Sequence, residues 1–274
     1  VTLAPFVVYA LAAILYGVHF AGRGSRTGAA ATTILVGALL VHTFVLGMET
    51  VRLGYLPLAG QAGAVSAFVW LLTITYLYVE TSTGERAMGA FIAPLVALLA
   101  MVSLTGAPPA QRPQVLDSPL FTIHVTAVLS AYAAFALAFV VGLTYVLLSR
   151  ELKRKQPGVF FARLPSLALL DRMNLRAVSV GFVFLTVGVL IGAVWVAQAR
   201  GYAPDDPRVQ AMSFGDPKIL IALLSWAVYA FELSARRLMG WGGRRAAWLS
   251  ALGFAIVLIN LIPVAYLDTS HAFD

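Results

Sequence analysis

The sequence predicts an all-α integral membrane protein: a bundle of eight transmembrane helices with both termini on the outer, periplasmic side. Three observations predict it. Of the 274 residues, 60% are hydrophobic and 11% are charged, against roughly 25% charged in a soluble domain. Apolar stretches close to the ~20 residues that cross a hydrocarbon core recur at 3–22, 29–48, 61–79, 87–105, 119–149, 177–199, 217–235 and 246–267. Each must be helical, because in lipid a backbone amide has no partner outside its own segment unless a barrel closes. Finally, with loops taken alternately, fourteen of the 19 Lys and Arg residues fall on one side, and the positive-inside rule makes that side cytoplasmic. This placement also accounts for the net charge of +7, so nucleic acid is excluded as a partner. The lipid bilayer is the first partner, and 1–274 reads as a single transmembrane domain.

Helix 1 is apolar throughout. No basic segment precedes it, and Arg23 and Arg26 follow it, so it is expected to remain as a helix and not to be cleaved as a signal peptide. The chain opens at Val1, so an initiator residue is expected to be missing. His19, one turn before the basic turn, reads as interfacial. Helix 2 carries His42 six residues before its end at Met48, about 9 Å below the outer boundary at 1.5 Å per residue. An ionisable residue at that depth is costly and is a functional candidate; the alternative is a neutral histidine bonded to a carbonyl of a neighbouring helix. Helix 3 brings Trp70, Tyr76 and Tyr78 as interfacial aromatics, and Pro94 should bend helix 4. The loop 106–113 is too rich in proline for regular structure.

Asp117, Ser118 and Pro119 form a helix start, a capping side chain before a first-turn proline. Helix 5 then needs 31 residues to reach Ser149, about 46 Å, so it must tilt or project from the membrane. His124 lies one and a half turns inside its outer end, at about the depth of His42. The inner segment 150–176 is the largest basic cluster. Its stretch 164–175 has leucines at helical spacing and reads as a short helix on the inner leaflet, with basic residues on anionic lipid; a docking site for a soluble partner is the alternative. Helix 6 holds Gly181, Gly188 and Gly192, the last two a Gly-xxx-Gly pair that permits close helix approach. The outer loop 198–218 carries Asp205, Asp206 and Asp216 and ends in Phe214-Gly215-Asp216-Pro217-Lys218. Asp216 and Pro217 again read as a helix start. Helix 8 contains Asn260 and Pro263, and His271 follows four residues after its end at Leu267.

Three of the four histidines, His42, His124 and His271, thus belong to the outer half. Imidazole is the usual axial ligand of haem iron, and the apolar walls of a bundle suit a porphyrin. A metal transporter would need carboxylates inside its helices or clusters of Cys and Met. Cysteine is absent from the sequence, which excludes disulfides and a thioether-linked haem on this chain. Glu49, Glu80 and Glu232 all sit near predicted helix ends, which disfavours a proton-coupled carrier. No Ser-His-Asp set, metalloprotease motif or phosphate loop is present, so a conventional enzyme is not expected.

Several stretches resemble the cytochrome c assembly family of membrane haem handlers, the CcsA, CcmC and HemX group. They are Ile123-His124-Val125 with Leu129 and Tyr132, Glu151 to Lys155, Leu170-Asp171-Arg172-Met173-Asn174, Gly188 and Gly192 with Trp195, Asp216-Pro217-Lys218 with Trp226 and Tyr229, Gly243 to Trp248, and Ser270-His271. Helices 1–4 fit the eight-helix, HemX-like members more loosely. The resemblance implies a non-covalent, b-type haem held on the outer face by His124 and His271 and presented to an apocytochrome c. It also implies that His42 is the family's within-membrane histidine, that Asp216 and Lys218 shape the loop or pair with haem propionates, and that Phe214 offers a flat ring. The expected location is a bacterial cytoplasmic membrane, and any enzymatic role is at most part of a haem-attachment system. The family's tryptophan-rich loop, however, here reads Phe214-Gly215-Asp216-Pro217-Lys218, with no Trp between Trp195 and Trp226. Two other readings therefore stand: a degenerate homologue serving as a structural or regulatory subunit of a respiratory membrane complex, and an electron carrier with haem b held by His42 and His124.

Overall fold

A computed structural model describes residues 3–22, 24–58, 61–104, 117–155, 158–202, 209 and 217–260. Among them are nine α-helices and no strand: α1 (Ala4–Gly22), α2 (Ser25–Leu53), α3 (Gln61–Thr83), α4 (Gly89–Val102), α5 (Pro119–Arg154), α6 (Val159–Arg163), α7 (Leu167–Tyr202), α8 (Pro217–Met239) and α9 (Arg244–Asn260). Six of these, α1, α2, α3, α5, α7 and α8, are long and apolar enough to cross a membrane. The two remaining expected crossings correspond to α4, an apolar helix of 14 residues with Pro94 inside it, and α9, 17 residues up to the last described position. The protein is a multi-pass, all-α membrane protein. Its outer surface fits that reading: α2 exposes Val36, Leu40, Phe44, Met48 and Val51, a stripe at helical spacing that faces lipid at no cost but would be a liability in water.

The bundle is organised around α5, which packs on α3, α7 and α9. Every residue from Leu129 to Ala138 is buried, so that part of the helix is enclosed on all sides. Alanine predominates there, which lets neighbouring backbones approach closely. Glycines of α7 complete the fit, since a Cβ at Gly181 would lie 2.5 Å from the Phe135 ring. Phe135 in turn stacks on Tyr229 of α8 with ring centroids 3.6 Å apart. On the other side α1 packs between α2 and α4, and α3 links this group to α5. The N-terminus of α5 forms as expected: Ser118 accepts the Leu120 N–H at 3.2 Å, with Pro119 in the first turn.

Two features depart from the sequence reading. The stretch 164–175 is not a separate surface helix. It enters α7, which runs without a break for 36 residues, and only Val159–Arg163 forms a short helix of its own. The physical reason lies in Asp171 and Asn174. Asp171 accepts from Arg236 at 3.0 Å and from the Gly243 N–H at 2.8 Å, while Asn174 donates to the Ala138 carbonyl at 2.9 Å. These polar residues point into the bundle, not onto a leaflet. The second feature concerns Glu80 and Glu232: Glu80 does lie near the end of α3, but both are buried, 2% and 0% exposed. Glu80 accepts hydrogen bonds from Tyr16, Tyr76 and Thr32 and lies 3.7 Å from Arg86. Glu232 accepts from Ser250 at 3.0 Å and lies 3.6 Å from Arg236. A buried carboxylate persists only when paired and hydrogen-bonded in this way.

Candidate functional site

At one end of the α5–α7 pair, Phe121, Trp195, Ala199 and Val209 form a buried cluster separate from the main core. His124 stands at its edge, half-buried. Its Nδ1 lies 2.7 Å from the Gly188 carbonyl oxygen. A carbonyl can only accept, so Nδ1 carries the proton and a neutral ring keeps its lone pair on Nε2. This is how a protein sets the tautomer and orientation of a ligating imidazole. The ring lies nearly parallel to Trp195, with centroids 6.4 Å apart and planes 20° apart. Phe121 packs on the same indole at 5.1 Å.

The sequence builds this arrangement by spacing. Phe121 and His124 are three apart on α5, while Gly188, Gly192 and Trp195 are four and three apart on α7, so each set shares one helical face. Gly188 supplies the carbonyl. Gly192 leaves room for the imidazole, since a Cβ there would lie 2.5 Å from Nδ1. Trp195 is 3% exposed, and among the described residues its indole N–H has no hydrogen-bond partner. A buried donor without an acceptor is costly and calls for an explanation. Val209 is fully buried on this cluster.

These residues fit a haem. An imidazole of fixed tautomer, two aromatic rings beside it and a buried donor awaiting an acceptor are what an iron porphyrin with carboxylate side chains requires. When bound, haem supplies an iron centre for axial ligation and the vinyl groups for attachment to a cytochrome. The resemblance offers Phe214 of the loop as the flat ring, whereas Trp195 and Phe121 come from the helices; the spacing of the α7 glycines and Trp195 is the sequence signal for them.

His42 is placed differently. It is 3% exposed, with Nε2 2.9 Å from Ser66 Oγ and Nδ1 3.1 Å from the Tyr9 hydroxyl. Its partners are hydroxyls of α1 and α3, not the carbonyl of the alternative reading, and ligation through Nε2 would displace Ser66. The Tyr9 ring meets the imidazole edge-on. His19 has its Nδ1 3.0 Å from the Gly24 carbonyl in the turn after α1. Phe214, Asp216 and His271 lie outside the described residues, and so does the side chain of Lys218, the second residue of α8. Among the described residues no group of three or more His, Cys, Asp or Glu side chains is placed to hold a metal ion.

A family model described as cytochrome C assembly protein matches residues 58–271. Cytochrome c biogenesis protein CcsA of Guillardia theta is 28% identical over 270 residues, covering 91% of this chain and 84% of the relative. Its counterpart in Chlorella vulgaris is 28% identical over 262 residues, covering 83% and 80%. That of Microcystis aeruginosa is 27% identical over 292 residues, covering 89% and 84%. The similarity thus reaches further towards the N-terminus than the motifs of helices 5–8.

Proposed function

Because this chain belongs to the cytochrome c assembly protein family, we propose that it holds a non-covalent haem on the outer face of a bacterial cytoplasmic membrane and presents it to an apocytochrome c. The observation that carries this reading is the His124 constellation: a tautomer set by Gly188 beside a buried indole donor with no partner among the described residues. His124 and His271 are the proposed axial ligands, on a frame that crosses the membrane eight times with both termini outside. Asp216, Lys218 and Phe214 are the proposed loop contacts, Asp216 and Lys218 shaping the loop or pairing with haem propionates. His42 is the proposed within-membrane histidine, available once Ser66 releases Nε2. The chain's own work is to bind, orient and shield; the covalent attachment is a reaction of the haem and the acceptor's thiols. Co-expression with an apocytochrome c tests this. Covalently haem-stained cytochrome is expected with the native chain and is expected to fall to background with His124→Ala; an unchanged yield would contradict the reading.

A second reading has a specific observation behind it. The loop 198–218 has no tryptophan, which favours a haem-free structural subunit of a respiratory complex. Co-purification with respiratory subunits in fixed ratio and without haem would establish that alternative.

A further inference from the structure

At the arginine-rich end, three separate turns converge on one cavity of about 410 Å³. They are the turn after α1, the α3–α4 turn and the connection from α6 to α7. Its polar lining includes His19, Arg86 and Arg163, and its apolar lining includes Phe20 and Leu164. Arg163 is only partly exposed, yet among the described residues it makes no hydrogen bond or ion pair. Without a counter-charge among the described residues, its planar fork of donors is open to a phosphate, whose geometry it matches. Arg86 is different: its Nε donates to Thr32 at 3.1 Å and lies 3.7 Å from the buried Glu80, so it is held rigidly at the cavity wall. The one acid in the lining, Glu85, turns a carboxylate oxygen to its own chain, accepting the Ala87 N–H at 2.9 Å.

The depth of the cavity says what kind of phosphate fits. It lies where α1 and α3 end and where α2 and α4 begin, which is the level of lipid headgroups if these helices cross the bilayer. Beside it, α6 leaves Val159 and Phe161 64% and 51% exposed, an apolar surface suited to the acyl boundary and not to water. A free phosphate has no use for apolar walls, whereas a phospholipid has an anionic head and a hydrocarbon body. We propose that this cavity is a binding site for the phosphate headgroup of an anionic phospholipid of the cytoplasmic leaflet, with Arg163 as its principal ligand and Arg86 and His19 beside it. The site is distinct from the His124 constellation and does not depend on haem.

Native mass spectrometry of the full chain released from nanodiscs containing phosphatidylglycerol and phosphatidylcholine tests the proposal. Retained phosphatidylglycerol is expected on the native protein, with occupancy falling about tenfold in Arg163→Gln, the loss of one charge-assisted contact. Arg163→Lys should recover most of it. Arg237→Gln, which removes an exposed cation after Arg236, should leave it unchanged. Equal retention by Arg163→Gln, or equal loss in Arg237→Gln, would overturn a specific site. Displacement of the lipid by inorganic phosphate at equal concentration would reassign the cavity to the free ion, and displacement by haem would reassign it to the porphyrin; either outcome overturns the lipid assignment.

Discussion

The position of one imidazole depends on the absence of a methyl group. Gly192→Ala would place a Cβ 2.5 Å from the His124 Nδ1, in a region where the ring is already bonded to Gly188. Overpacking of this kind costs roughly 1–3 kcal/mol, and the ring is the part that can move. The expected outcome is a protein that still folds and inserts but takes up much less haem. An equal haem content, measured as pyridine haemochrome per protein, would show that His124 need not hold this orientation. At this scale the sequence was partly legible. His124 stood out because an imidazole inside an apolar helix needs a reason. Trp195 carries part of the family resemblance, but a tryptophan near a helix end is ordinary in a membrane protein, and only its placement across from His124 makes it a candidate site residue.

The elements are longer and more polar inside than hydropathy implies. Charges at Arg150 and Glu151, and at Arg172 and Arg176, lie just outside the apolar stretches, yet α5 and α7 continue through them. Long basic side chains reach the interface while the backbone stays helical, so charge alone does not mark a helix end. The buried network of Asp171, Asn174, Arg236, Glu232 and Ser250 ties α7, α8 and α9 together. Nothing in the spacing of these residues announced it, because the partners come from three helices. Arg236→Met would leave Glu232 buried without its counter-charge, and breaking a buried pair from one side costs about 3–5 kcal/mol. The expected result is a clear drop in unfolding temperature in detergent, with the double replacement Arg236→Met and Glu232→Gln milder than the single. A single variant as stable as the native chain would show that the network does not secure these helices.

Across the whole molecule, composition and charge placement were enough for an all-α membrane protein, because the bilayer leaves the backbone few alternatives. Orientation is open to direct labelling. The sequence has no cysteine, so single-cysteine variants can be labelled without a background. A membrane-impermeant maleimide added to intact spheroplasts is expected to modify Leu56→Cys in the outer loop and not Lys153→Cys at the end of α5, until the membrane is permeabilised. The reverse pattern would invert the topology and move the His124 cluster to the cytoplasmic side. The most direct measurement is a reduced-minus-oxidised absorption spectrum of the purified native chain beside His124→Ala and His271→Ala. A haem Soret band with b-type features in the native protein, lost or strongly shifted in both variants, is the expected result; no Soret band, or one that both substitutions leave unchanged, would contradict haem ligation by these histidines.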